Sequence, residues 1–252
     1  MSIQDIFQEL VLNKNEESLY NLIQEKKNCI PEKQKIGKGI VWSLRQVRKQ
    51  IQEKISLDLQ RQSLKVLINS KYWQIRMMVA LLASSSASKE GSVSDYISYI
   101  ENTANDSHFA VRESAQMALR ELLQDFPNDI ILIYNEWVKN SNEFTRRCVS
   151  ESLRPVLVNR RNWIKEKPKE AMKILKNLNC DPSLYVRKSV ANNLSDISRK
   201  YPDLVLLTLG EWLSENDYDK RTFFIARKAC RNIVKTKPEA VNKLLKGLSI
   251  IR

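Results

Sequence analysis

The stretch DPSLYVRKSVANNLSDISRKYPDLVLLTLGEW, residues 181–212, reads as two helices. In the first, Val186, Val190, Leu194, Ile197 and Tyr201 follow the i, i+4, i+8, i+11 spacing of a buried stripe. Ser189, Asn193, Asp196 and Lys200 form a second, polar stripe, and Asn192 lies one turn from Asp196. Pro202 opens the second helix, where its missing N–H is no loss. The spacing predicts a core stripe and a separate polar face exposed on the first helix.

This stretch has a copy. Residues 105–137, NDSHFAVRESAQMALRELLQDFPNDIILIYNEW, match residues 180–212 at a constant offset of 75 without a gap. Asp106 falls on Asp181, Arg112 on Arg187, Pro127 on Pro202 and Trp137 on Trp212. Weaker copies flank these two. Ile75-Arg76, Val111-Arg112, Thr145-Arg146, Val186-Arg187 and Lys220-Arg221 recur at intervals of 36, 34, 41 and 34 residues. Pro127, Pro168, Pro202 and Pro238 punctuate the same series. Each unit therefore reads as a helix opening near the arginine, a turn, and a second helix starting at the proline. A two-helix repeat of this period indicates an all-α solenoid of HEAT-like repeats.

A single repeat domain over residues 1–252 is expected, with 1–65 as a helical cap or degenerate repeats and 66–252 as recognisable ones. SSSASKEGS at 84–92 reads as a loop between helices. KIGKG at 35–39 reads as a turn, because no strand precedes it and the third glycine of a phosphate-binding loop is missing. Five glycines in 252 residues leave few tight hairpins, which also favours helices.

The net charge of +13 points to a polyanionic partner. The excess is concentrated. Residues 26–65 hold eleven Lys and Arg against three acids, and residues 140–200 hold fourteen against six. These patches suggest a basic concave face; solvated helix faces on a Lys-rich protein are the alternative. Cys29, Cys148, Cys180 and Cys230 form no C-x-x-C pair, as expected of reduced thiols in a cytoplasmic protein. The amphipathic start MSIQDIFQEL is no signal peptide, and no apolar run reaches membrane-spanning length. The single histidine, His108, leaves little for a zinc site or a Ser-His-Asp triad; a surface or capping place suits it better. No metal, nucleotide or other cofactor is expected.

The repeat arginines, Arg146 and Arg187 among them, have two possible uses: hydrogen bonding along the stack, or phosphate binding. The segment EFTRRCVSESLRPVLVNRRNWIKEKPKEAMK, residues 143–173, is richer. It sets Arg146, Arg147, Arg154, Arg160, Arg161 and Lys165 around Glu151 and Trp163. Basic groups beside an aromatic suit a surface that grips a nucleic-acid backbone. Glu151 either neutralises a neighbouring arginine or faces a positive charge in a substrate. Asp196 reads locally as a cap or as a hydrogen-bond partner of Asn192.

EFTRRCVSESLRP (143–155) and DPSLYVRKSVANNLSDISRKYPDLVL (181–206) resemble the DNA alkylation repair family of HEAT-like-repeat DNA glycosylases, of the AlkC and AlkD type and closer to AlkC. The resemblance covers roughly residues 70–240. It implies excision of N3- or N7-alkylated purines from double-stranded DNA by a monomer without cofactor. It implies catalytic roles for Glu151, Asp196 and the displaced Trp163, whose alternative is a core anchor. Arg146, Arg147, Arg154, Arg160, Arg161, Arg187 and Lys188 are the DNA-binding candidates. The sequence departs from the family pattern at Ser152, where a glycine is usual, at Asn159, where a tryptophan is usual, and at Met117, where an acid is usual. Non-catalytic DNA binding, and a protein-interaction scaffold, are the alternatives to excision.

Overall fold

The computed structural model describes residues 1–30, 32–155 and 163–246, with only the backbone of 32–38. Every regular element among these residues is a helix. The chain folds as two compact units, Met1–Phe126 and Pro127–Arg252.

The first unit holds α1 (Ile3–Asn13), α2 (Glu17–Asn28), α3 (Glu32–Lys54), α4 (Leu57–Leu67), α5 (Trp73–Glu90), α6 (Ile97–Ala104) and α7 (Phe109–Asp125). Ser2 and Asp5 exchange side-chain-to-backbone bonds of 3.2 and 2.9 Å, a capping box that starts α1. His108 caps α7, its Nδ1 accepting from the Ala110 N–H at 3.3 Å. The spine of the unit is α5, which is buried from Met77 to Ala87 and packs on α4, α6 and α7.

Two expectations are corrected here. Ser84, Ser85 and Ser86 are not a loop but buried turns of α5, which runs on to a left-handed Gly91 with φ 76°. Their hydroxyls are satisfied inside the helix and across it. Ser84 donates to Leu81 O and Glu121, Ser85 donates to Leu82 O, and Ser86 donates to Gln60 on α4. Small side chains let neighbouring helices approach, and back-bonding removes the polar penalty. KIGKG also lies within a helix, the 23-residue α3. A glycine costs a helix about 1 kcal/mol against alanine, which a helix of that length tolerates.

The second unit holds α8 (Pro127–Trp137), α9 (Glu143–Ser152), α10 (Trp163–Glu166), α11 (Pro168–Lys176), α12 (Leu184–Ile197), α13 (Pro202–Glu215), α14 (Lys220–Ala229) and α15 (Pro238–Lys246), with a 3-10 turn at Ile233–Lys235. The four punctuating prolines are the first residues of α8, α11, α13 and α15. Each repeat arginine stands in the first turn of α5, α7, α9, α12 or α14. Trp137 and Trp212, matched in sequence, are both buried. Val186, Val190, Leu194 and Ile197 are buried as the stripe requires, each such side chain contributing roughly 1.5–3 kcal/mol.

The arginines make a recurring joint. The NH1 of Arg112 curls back to the carbonyls of Asp106 and Ser107, and that of Arg187 to Asp181 and Pro182. Arg76 and Arg146 do the same to Ser70 and Lys71, and to Asn140 and Ser141. In addition, Arg76 grips Asp106 at 2.6 and 3.1 Å, and Arg146 grips Asp181 at 2.7 and 3.0 Å. The same aspartates accept the N–H of His108 and of Ser183 before the next helix. The Asp181 carboxylate, working against burial, raises the Arg146 guanidinium above its ordinary pKa. Of the two uses the sequence allows Arg146, the geometry displays the bonding along the stack: it is 9% exposed, and its nitrogens bond within the joint. Arg187 spends its NH1 on its own turn.

Candidate active site

The polar stripe of α12 is not an exposed face. Ser189 and Asn193 are fully buried against α9, where Ser189 Oγ donates to Ser150 Oγ at 2.9 Å and Asn193 Nδ2 to Ser150 O at 2.8 Å. Asn192 is not a partner of Asp196 but accepts from Arg231 at 2.8 Å. These bonds fix the register of α9 against α12. Buried polar groups bonded this way specify one packing, since any slip would leave them unsatisfied.

That register places two carboxylates around one arginine. Glu151, in the last turn of α9, is 5% exposed, and Asp196, in the last turn of α12, is 6% exposed. Arg154 follows α9 directly. Its Nε and NH2 reach one oxygen of Asp196, Oδ2, at 2.9 and 2.7 Å. Its NH1 lies 3.4 Å from Glu151 Oε2, while Arg147 NH2 lies 3.1 Å from Glu151 Oε1. Burial works against the Arg154 charge, yet its hydrogen bonds to Asp196 and the nearby carboxylate charges raise its pKa above the ordinary value. Arg147 is held flat, its guanidinium carbon 3.8 Å above the Tyr185 ring and its NH1 donating to Tyr185 O.

Asp196 also lines a cavity of about 430 Å³ within this unit. The other walls are apolar (Pro155, Ile164, Pro168, Ile197), aromatic (Tyr201) and basic (Lys165, Arg199, Lys200). Two arginine bonds fall on Asp196 Oδ2 and no described residue donates to Oδ1. A carboxylate so placed is anchored on one side and can meet a ligand on the other. Trp163 begins α10 and is buried, with Lys167 Nζ 6.0 Å from its ring centroid. The next two residues, Ile164 and Lys165, reach the cavity.

The structure therefore brings together Glu151, Arg154, Asp196 and Arg147. Lys188 is exposed on α12. Arg160 and Arg161, with Asn159, lie outside the described residues. Sequence reasoning missed Tyr185 and Tyr201. Tyr201 carried a signal, as the last member of the apolar stripe and the residue before Pro202. Among the described residues no group of three or more His, Cys, Asp or Glu could hold a metal ion, and no helix is long and apolar enough to cross a membrane.

Comparison with known proteins gives a consistent pattern. The model of a family described as DNA alkylation repair enzyme matches residues 41–233. The uncharacterized protein YhaZ of Bacillus subtilis is 34% identical over 133 residues, which is 50% of this chain and only 35% of that protein. AlkD2 from Streptococcus mutans superposes with a TM-score of 0.68 at 26% identity, covering 86% of this chain and 98% of that one. The Pseudomonas fluorescens alkylpurine DNA glycosylase AlkC, bound to DNA containing an abasic site analog, superposes with a TM-score of 0.63 at 23% identity, covering 95% of this chain and 68% of that one. It shares the helical-repeat fold.

Proposed function

The chain belongs to the DNA alkylation repair enzyme family, and on that premise we propose that it is a DNA glycosylase that removes N3- and N7-alkylated purines from duplex DNA. The observation that carries this reading is Asp196, anchored by Arg154 and opening on a cavity with a basic rim.

The chemistry asks little of the protein. An alkylated purine is cationic, so its glycosidic bond is already weakened. As that bond breaks, its electron pair passes to the purine and cancels the charge there. The positive charge moves to the sugar, which becomes an oxocarbenium ion. A carboxylate held nearby stabilises that ion more than the ground state, which lowers the barrier. Water then adds to C1′ and gives up a proton to the carboxylate or to solvent. Asp196 takes that place. Glu151, faced by Arg147 and Arg154, holds Arg154 in position. Trp163 shapes the wall beneath the cavity. Arg147, Lys188, Arg199 and Lys200 offer positive charge to phosphates.

A second reading, DNA binding without excision, draws on Met117, which stands where the family pattern the sequence resembles often has an acid, and on the arginines that face both Glu151 oxygens. The deciding measurement is release of free 3-methyladenine and 7-methylguanine from methylated DNA, with Asp196→Asn and Glu151→Gln alongside. Release by the parent and its loss in Asp196→Asn supports excision. Absence of release with salt-sensitive DNA binding supports the second reading.

A further inference from the structure

We propose that Tyr185 is a positioning residue of the candidate site: it clamps Arg147 against Glu151 and so keeps Arg154 on Asp196. Its effect on base release rests on the glycosylase reading; its effect on Arg154 does not.

The pair is particular to one place in the sequence. The residue after each repeat arginine is Met77, Glu113, Arg147, Lys188 or Thr222, so a second arginine follows only in α9. At the offset of 75, the place of Tyr185 in the other copy is held by Ala110. The recurring joint therefore does not require Tyr185 and Arg147. They meet where α12 packs on α9, the two helices that bring Glu151 and Asp196 together.

Both the backbone and the ring of Tyr185 are held. The Ser183 hydroxyl accepts from the Tyr185 N–H at 3.1 Å and donates to Glu143, which ties the first turn of α12 to that of α9. The ring meets Phe144 of α9 edge to face, with centroids 6.0 Å apart and planes at 87°. One ring face carries the Arg147 guanidinium, its carbon 3.8 Å from the centroid. Arg147 NH1 donates to Tyr185 O at 3.0 Å, and NH2 lies 3.1 Å from Glu151 Oε1. A planar guanidinium fixed by its face and by NH1 has little freedom left in where NH2 points.

Four charges then alternate along the seam: Arg147, Glu151, Arg154 and Asp196. Arg154 stands between two carboxylates, 3.4 Å from Glu151 and 2.7 Å from Asp196. Where it settles depends on how well each carboxylate is compensated by other groups, since buried opposite charges attract strongly at these distances. Arg147 compensates Glu151, and Arg154 is left to Asp196. With the clamp removed, Glu151 draws Arg154 toward itself, and Nε and NH2 leave Asp196 Oδ2. Asp196 then loses its anchor, and a catalytic group held loosely works less well. Tyr185 and Asp196 stand eleven residues apart on α12, so one helix carries both the clamp and the acid it serves.

The test uses the full chain with Tyr185→Phe, which keeps the ring, and Tyr185→Leu, which removes the ring but not the carbonyl. The first readout needs no DNA. It is exchange of the Arg154 Nε–H with water, followed by proton–nitrogen NMR, the signal assigned by its loss in Arg154→Lys. Exchange is expected to be slow in the parent and in Tyr185→Phe, and about tenfold faster in Tyr185→Leu, as for loss of a partly desolvated cation–π contact. The second readout is single-turnover base release from methylated duplex beside the duplex Kd. Release should fall about tenfold in Tyr185→Leu at unchanged Kd and recover in Tyr185→Phe. A tyrosine that only packs would lower the urea midpoint and leave Arg154 exchange alone. Should Tyr185→Leu fail to fold, Arg147→Lys, which keeps the charge but not the flat stack, carries the same expectation for exchange. Arg154 exchange that is fast in the parent, unchanged in Tyr185→Leu, or equally fast in Tyr185→Phe overturns the proposal. So does release by the parent that Tyr185→Leu leaves unchanged. Altered exchange in Tyr185→Leu with no release by the parent upholds the clamp and removes the glycosylase reading.

Discussion

Arg154 places two nitrogens on a single oxygen of Asp196, across 42 residues of chain. One carboxylate oxygen is thereby committed to structure, while no described residue donates to the other. We expect Asp196→Asn to lower base release about 10²–10³-fold, the range for loss of one preorganised electrostatic partner, with little change in DNA affinity. Single-turnover release and a binding isotherm separate the two. Equal loss of both would mean that Asp196 holds the fold and not the transition state.

The buried joint of Arg146 and Asp181 gives a contrasting expectation. Removing one partner of a buried ion pair costs about 3–5 kcal/mol, because the other charge is left unpaired. Arg146→Ala should therefore lower the urea midpoint sharply. Replacing both, with Arg146→Met and Asp181→Leu, should recover much of the loss. A midpoint unchanged in Arg146→Ala would show that the joint contributes nothing.

Salt dependence tells a phosphate contact from a structural arginine. Neutralising exposed Lys188 should weaken binding to any DNA and reduce the salt slope by about one. Arg146→Ala, measured under conditions where it is folded, should leave the slope alone. Titration of binding against salt checks both, and a slope that changes only in Arg146→Ala would reverse the assignment.

Acid stability should report on Asp106. Burial alone would raise its carboxyl, but Arg76 and the His108 N–H outweigh burial and hold it below the ordinary value. A depressed folded pKa contributes stability that is present above the unfolded value, about 3.9, and is lost as pH falls through the lower folded one. The parent and Asp106→Asn should thus differ most near neutrality and converge in acid. Urea midpoints from pH 7 down to pH 3 measure this. A gap that stays constant would separate the contribution from ionisation.

The thiols should differ in reactivity. Burial pushes Cys230 up to about 11, so little thiolate exists at pH 8. Cys29 is exposed. Iodoacetamide labelling and then mass spectrometry should find Cys29 modified first and Cys230 only on unfolding.

The repeat marks were legible because they act locally. An arginine that caps its own turn and a proline at a helix start obey rules set within a few residues. The core stripe of α12 was legible for the same reason. The serines of α5 were not, since their burial depends on Gln60 and Glu121 supplied by other helices. The polar stripe misled for a related cause. Ser189 and Asn193 look exposed until α9, about 40 residues away, brings Ser150 to them. Glu151 and Asp196 were recognisable as individual acids through resemblance, but their sharing of Arg154 needed the fold. Tyr201 carried its signal in plain view, and its departure from the core did not.

Because the joint recurs, such a chain can change length only in certain steps. Arg76 and Arg146 each require an aspartate from the next repeat, and that aspartate also starts the next helix. A gene segment two repeats long, lost or duplicated between two such marks, rejoins an arginine to an aspartate of the same kind. The chemistry of the seam survives the cut. Length can therefore drift by entire modules while partial ones are eliminated, because a fractional insertion leaves a buried guanidinium facing no carboxylate.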